Sequence, residues 1–370
     1  MKNEMPGRSG SADGQLRHMP QLDGLRAFAV AAVMIHHFSP EGWDTGATWG
    51  VKLFFVLSGF LITSILIRSR NAVASTGGTV AGALRRFYAR RCLRIFPLYY
   101  FVIAVGVILN LDYTREYLGW LLTYTLNIRM AEQGWFVDHF AHFWTLSIEE
   151  QFYFFWPWVV LLTPRKWLMP ATLAMISMGP LYRLYHVIGW RFFESEATVL
   201  RTYIFTLTCF DTLGMGALLA VLSHGVYTRQ KLRAYLAWAV LPAGVGGLVV
   251  LNLIRGYSAG RDFDLVLGDL FLALVFSWLI AAAATGFGGV LGTLLELQPL
   301  RYLGRISYGI YVYHPFMPTL LTFILVRFGW GSDIPVWTKF VLATGMTFAV
   351  SSLSWHLMEN PINNLKRYFA

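Results

Sequence analysis

The chain has 370 residues, 56% of them hydrophobic and 14% charged, with a formal net charge of +10 and a mean hydropathy of +0.51. Soluble domains are about 45–50% apolar and about 25% charged, so this composition excludes an ordinary soluble enzyme and describes a polytopic membrane protein. The basic excess does not mark a nucleic-acid surface, because most of the arginines and lysines lie between apolar segments, where the positive-inside rule puts them.

In chain order, residues 1–20 are polar and rich in Gly and Ser and read as a disordered cytoplasmic segment. A spanning helix needs roughly 20 mostly apolar residues. Ten candidates follow, centred near Val30, Leu57, Val105, Trp156, Ser177, Leu213, Val245, Leu274, Tyr313 and Met346. The first is the shortest. It holds Arg26, His36 and His37 with no small-residue cleavage site after it, so it reads as a retained helix rather than a signal peptide. The stretch around Leu121 is too short and polar to span and reads as interfacial or re-entrant. No internal repeat is visible. The expected fold is therefore all-α, a bundle of about ten transmembrane helices. It comprises one membrane domain over 21–361 and a short basic tail over 362–370.

Orientation follows from the basic residues. The segment between the second and third spans carries Arg68, Arg70, Arg85, Arg86, Arg90, Arg91 and Arg94, which makes it cytoplasmic. Ten spans counted outward from it leave both termini in the cytoplasm. Cys92 and Cys209 have the spacing of neither a disulfide framework nor a zinc site and read as structural. No metal site is expected.

Ionisable residues inside the spans are costly and mark function by default. In the first span Arg26 and His37 are eleven residues apart, which puts them on one helix face, roughly 16 Å apart along the axis. Asp23 lies near that face and His36 does not. The bland alternative is a snorkelling Arg26 and a satisfied core His37. The shared face favours a site. In the fourth span His142 and Glu149 also share a face, which Tyr153 continues, while Glu150 points elsewhere. Glu149 alone is equally readable as the partner of an arginine on another helix. In "GRISYGIYVYHPF" (304–316), His314 precedes a helix-breaking Pro315, with Tyr308 and Tyr311 upstream. A structural histidine tied to a freed carbonyl and a site residue are equally compatible with that pattern. The Ser58-Gly59 pair reads as close helix packing, since no nucleophile-elbow context surrounds it. Arg86, Arg90 and Arg94 form a stripe if helical, serving topology or phosphate binding. The Gly-rich "GFGGVLG" (286–292) lacks the strand and helix of a phosphate loop.

The motifs "QLDGLRAFAVAAVMIHHF", "WGVKLFFVLSGFLIT", "RRFYARRCLRIFPLYY", "HFWTLSIEEQFYFFWP", "LGRISYGIYVYHP" and "MENP" occur from Gln21 to Pro361 in an order that resembles the acyltransferase-3 family of membrane O-acyltransferases. The resemblance implies ten membrane helices in a bacterial cytoplasmic membrane. It also implies acyl-CoA, acetyl-CoA above all, as co-substrate, and a sugar hydroxyl of an exopolysaccharide, lipopolysaccharide or lipid-linked glycan as acceptor. The family's arginine and histidine correspond to Arg26 and His37, and its helix-four acid to Glu149, with Thr145 in place of its serine. Its basic element is matched by Arg91, Arg94, Ile95, Pro97 and Tyr99. Many relatives have Asp where this chain has Lys52, so no role of that acid carries over. Some relatives add an extracellular domain, so an extracytoplasmic partner protein is a further expectation.

These readings combine into one expected mechanism. Arg86, Arg90, Arg91 and Arg94 bind the CoA phosphates at the inner face. His37 serves as general base on the acceptor hydroxyl, or is itself acylated. Arg26 or Tyr308 stabilises the oxyanion. Glu149 orients His37. His142, Trp144, Tyr153, His314 and Asp23 support the site. The rival readings are a proton-coupled exporter, which intramembrane His, Arg and Glu also suit, and a non-enzymatic partner in polysaccharide assembly.

Overall fold

The computed structural model describes residues 19–39, 44–111, 114–135, 138–190, 196–225, 229–330 and 334–369. The expected disorder of the N-terminus, up to residue 18, lies outside the described residues. Among the described residues every regular element is helical. The helices are α1 (Pro20–Phe38), α2 (Asp44–Thr76), α3 (Val80–Leu109), α4 (Leu118–Leu122), α5 (Leu126–Gln133), α6 (Phe143–Leu162), α7 (Arg165–Trp190), α8 (Glu196–Ile204), α9 (Phe210–Gly225), α10 (Arg229–Tyr235), α11 (Leu241–Ile254), α12 (Ser258–Thr285), α13 (Gly289–Leu295), α14 (Gln298–Arg305), α15 (Ser307–Tyr313), α16 (Met317–Arg327), α17 (Val336–Ser354) and α18 (Asn360–Asn363).

Each of the ten predicted centres falls within a helix. Seven stretches are long and apolar enough to cross a bilayer: Gly46–Thr76, Val80–Leu109, Thr206–Gly225, Lys231–Ile254, Gly260–Thr285, Ser307–Arg327 and Val336–Phe369. The other three centres lie on α1, α6 and α7. These have 19, 20 and 26 residues, enough length, but carry the polar side chains discussed below. The chain is an integral membrane protein. The stretch around Leu121 forms the short α4 and α5 rather than a span. It is tied into the bundle by Gln151, which donates to the Tyr124 carbonyl at 2.7 Å and to Asn127 Oδ1 at 2.9 Å.

Helix α2 is the hub. It packs against α1, α6, α9 and α12. Lipid tails are as apolar as leucine, so helices in a membrane associate through close packing and polar contacts rather than through the hydrophobic effect. Both devices are present. A Cβ on Gly59 would collide with the Leu213 carbonyl, and one on Gly216 with the Val56 carbonyl, so α2 and α9 cross with their backbones in contact. The expectation that Ser58-Gly59 marks close packing is met at Gly59. Trp156 donates to Thr63 Oγ1 at 2.8 Å, tying α6 to α2.

A buried ionic network closes the opposite side. Arg183 of α7 pairs with Asp211 of α9 and with Asp269 of α12, the latter at 2.6 Å, and Lys52 of α2 reaches Asp269 at 2.6 Å. Two cations face two anions, so four helices are joined with no net charge. Lys52 also lies over the rings of Phe55 and Tyr203. Lys52 is thus a packing residue of this network.

Two substitutions test these contacts by thermal unfolding in detergent. Gly59→Val forces α2 off α9 and lowers stability by about 1–3 kcal/mol or more; an unchanged midpoint would refute the backbone contact. Arg183→Leu strands Asp211 and leaves Lys52 alone to face two carboxylates, at a cost of about 3–5 kcal/mol, whereas a loss as small as that of an exposed pair would show that the network is hydrated.

Candidate active site

The site is built where α1, α2, α3, α6 and α15 meet. A cavity of about 300 Å³ lies between them, the lower end of the size range for small-molecule sites. Its walls are apolar side chains of α2 with a few charged groups from the other helices. Toward one end sit Asp23, Arg26, Arg91 and Arg94. Arg26 and Asp23 form an ion pair at 3.7 Å, one helical turn apart. The predicted stripe on α3 does form, because Thr79 caps the helix by accepting from the Gly82 amide at 3.1 Å. Only Arg94 of that stripe lines the cavity. Arg91, the neighbour on the inward face, also does, with its guanidinium over the rings of Phe87 and Tyr153 at 5.7 and 5.6 Å. Arg86 and Arg90 lie outside the lining.

Midway along the cavity are Glu149, Glu150, Ser58 and Tyr153. Ser58 and Tyr153 share a short hydrogen bond. Both act on Glu149, whose charged neighbours are Arg26 and Arg91. Tyr308 lines the same space and donates to the Ile95 carbonyl at 2.9 Å. The expectation that Glu150 points elsewhere is corrected: the cavity wraps far enough around α6 to take in both carboxylates. Ser58, set aside from the sequence as a packing residue, is a cavity residue with a bonded hydroxyl. The signal that could have found it is its place one residue from a helix-crossing glycine, which turns the serine toward a different neighbour.

Two hydroxyls of the lining stand away from the arginine-bearing end. Thr145 Oγ1 and Tyr311 Oη lie 2.7 Å apart with one donating to the other, and both lie within hydrogen-bond distance of the His142 carbonyl, at 3.0 and 3.1 Å, which accepts the remaining proton. Beyond them lies a group of imidazoles. His142 and His314 have ring centroids 5.3 Å apart, His314 and His37 4.8 Å, and His37 and His36 4.9 Å. Each inner ring is fixed by a main-chain carbonyl: His37 Nδ1 to Val33 at 2.8 Å, His142 Nε2 to Val312 at 3.1 Å, His314 Nδ1 to Tyr311 at 2.6 Å. A carbonyl only accepts, so these nitrogens carry the protons and the other ring nitrogens present lone pairs. His142 and His314 are buried, whereas His37 is exposed. Among the described residues no group of three or more His, Cys, Asp or Glu is placed to hold a metal ion.

His314 owes its place to Pro315. Helix α15 stops at Tyr313, a 3-10 turn spans His314–Phe316, and α16 resumes at Met317. The freed Tyr311 carbonyl takes the His314 proton, so the structural reading of this histidine and its place in the imidazole group hold together.

The residues predicted as one site therefore divide in two. Arg26, Asp23, Arg91, Arg94, Glu149, Tyr153 and Tyr308 line the cavity; His37, His142 and His314 are not among its lining residues. The stripe His142, Thr145, Glu149 and Tyr153 on α6 runs through both. Glu149 does not touch His37, and the ring is oriented by Val33 instead, because the two sit on opposite sides of the Thr145–Tyr311 pair. Trp144 packs between Phe55 and Tyr203, at ring distances of 6.1 and 5.2 Å, as part of the core.

Comparison with known proteins gives the family. A family model described as an acyltransferase domain, Acyl_transf_3, matches residues 19–356. A peptidoglycan O-acetyltransferase OatA of Listeria monocytogenes is 30% identical over 95% of this chain and 57% of its own length. An O-acetyltransferase OatA of Staphylococcus aureus is 26% identical over 94% and 57%, and a putative peptidoglycan O-acetyltransferase YrhL of Bacillus subtilis 29% over 94% and 55%. The chain thus spans somewhat more than half the length of these relatives. No solved structure matches it. With its motifs in order from Gln21 to Pro361 and a family match over nearly all of the described bundle, the chain belongs to the acyltransferase-3 family.

Proposed function

We propose that the chain is a membrane O-acetyltransferase. It takes an acetyl group from acyl-CoA on the cytoplasmic side and passes it to a hydroxyl of a cell-envelope glycan. One observation carries this reading: a cavity with arginines toward one end and, next to the Thr145 and Tyr311 hydroxyls of its wall, an imidazole group. The arginine-bearing end faces the cytoplasm by the positive-inside rule. The relatives named as acetyltransferases are bacterial, so the membrane is the bacterial cytoplasmic membrane, and peptidoglycan joins the sugar polymers expected from the sequence as acceptor.

The chemistry follows from the placement. Arg91 and Arg94, with Arg86 and Arg90 outside, attract the CoA phosphates, since guanidinium groups bind phosphate in a fixed fork geometry. The pantetheine arm enters the cavity past Arg26. Glu149 balances Arg26 and Arg91 and, through Ser58 and Tyr153, holds them in place in a medium that penalises unpaired charge. The acyl carbonyl sits beneath Thr145 and Tyr311. Parting of that hydroxyl pair joins the cavity to His37, whose Nε2 lone pair removes the proton of the acceptor hydroxyl. The oxygen attacks the thioester carbonyl, the C–S bond breaks as the ester C–O bond forms, and the proton ends on the CoA thiol. Acylation of His37 followed by transfer uses the same path. The acceptor reaches His37 from the exposed, outer side, where an extracytoplasmic partner protein would meet it.

Thiol release from acetyl-CoA by membranes carrying the chain is the first test, and its absence would revive the exporter reading. Mass spectrometry of surface glycans then compares a deletion strain with strains carrying the native chain or a variant at matched protein level. His37→Ala should cut acylation at least about 10²-fold, the usual contribution of a general base; an undiminished acyl increment would remove His37 from the chemistry. Glu149→Gln should lower acylation about tenfold or more while leaving protein level unchanged, since it removes the negative charge that both arginines sense. Native acylation by that variant would sink the assignment.

A further inference from the structure

The C-terminal segment is helical over Asn360–Phe369. After α17, a π-helical turn over Trp355–Glu359 leads into α18 and a 3-10 segment over Asn364–Phe369, and both of these last elements pack on α3. That packing brings Lys366, which is exposed, within the electrostatic reach of Arg90 and Arg94. Arg94 lines the cavity and is itself exposed; Arg90 is half-buried, and its Nε has no hydrogen-bond partner. Among the described residues no ion pair joins any of these three to a carboxylate. Glu359 does act on Arg94, but it is buried and bonded to Ser354 Oγ at 2.8 Å. Arg367, next in sequence, is otherwise engaged: it stacks on Tyr368 at 5.0 Å and donates to its hydroxyl at 3.0 Å.

Three cations held together on packed helices repel one another unless an anion joins them. We propose that Lys366, with Arg90 and Arg94, forms a phosphate site at the mouth of the cavity, and that it holds a phosphate of the CoA nucleotide. Two guanidinium forks and one ammonium suit a phosphomonoester or a diphosphate. The C-terminal segment is then part of the donor site, closing over the nucleotide while the pantetheine arm runs inward past Arg94. This rests on the reading of the cavity as an acyl-CoA site. An anionic phospholipid headgroup offers the same phosphate chemistry, so the test separates the two sources.

The probe is adenosine 3',5'-bisphosphate, which has the nucleotide phosphates but neither pantetheine nor thioester. Its binding to the full chain in detergent is measured by calorimetry for the native protein, Lys366→Ala, Lys366→Arg and Arg367→Ala. Lys366→Ala should raise Kd about tenfold, the loss of one charged contact, with Lys366→Arg restoring most of it. Arg367→Ala should stay within about twofold, as expected for a screened exposed charge. Equal Kd for Lys366→Ala and the native chain overturns the proposal. So does a loss of co-purifying phosphatidylglycerol from Lys366→Ala with nucleotide affinity intact, which would assign the site to lipid. A native chain that neither binds the bisphosphate nor releases thiol from acetyl-CoA would instead remove the acyl-CoA reading itself.

Discussion

A charge inside a membrane bundle must be either paired or wetted, and this requirement shapes the molecule. The chain uses both solutions and keeps them apart. On one side of α2, Lys52, Arg183, Asp211 and Asp269 neutralise one another in a nearly dry network. On another side, Arg26, Arg91, Glu149 and Glu150 border an open cavity. The first set joins α2, α7, α9 and α12 and leaves no cation free for a ligand. The second leaves its charges available. Net worth in stability is modest for such buried pairs, because desolvation consumes most of the attraction. What the network contributes is a fixed position for α2, and the position of α2 fixes the cavity.

The division of the polar residues by the Thr145–Tyr311 hydroxyl pair has a chemical consequence. A thioester exposed to water and to an imidazole at the same time hydrolyses. Here the imidazole group lies beyond a hydrogen-bonded partition whose hydroxyls are satisfied by each other and by the His142 carbonyl. Opening it costs hydrogen bonds that an incoming acceptor, rich in hydroxyls, can replace. In the proposed reaction, the hydroxyl pair therefore favours transfer to the acceptor hydroxyl over transfer to water.

Much of this was legible in the sequence, for identifiable reasons. Apolar length located all ten helix centres, because nothing but a helix satisfies its own backbone in lipid. Helical periodicity placed Arg26 and Asp23 together, and Glu149 with Tyr153. It did not show that the face bearing Arg26 and His37 passes a partition on the way, since Thr145 and Tyr311 come from other helices and their pairing is a tertiary fact. Glu150 was misplaced because a 100° step on a helix wheel means little when a cavity wraps around the helix. Lys366 looked like a topological charge, and only the return of the C-terminal segment onto α3 sets it beside Arg90 and Arg94.

Helix α2 shows why one short motif carried two meanings. Its residues divide around the circumference: Gly59 admits the backbone of α9, Lys52 reaches across to α12, and Ser58 turns to the cavity and Tyr153. A larger residue at 59 would separate α2 from α9 and at the same time shift Ser58 against Glu149. Packing and chemistry are coupled through a single turn of helix, so the close crossing that gives the bundle its cohesion also sets the register of the hydroxyl that holds the buried carboxylate. That coupling follows from the absence of a hydrophobic drive between helices in lipid. Cohesion must come from close contact, and close contact leaves the side chains on the adjoining face little freedom to be anywhere else.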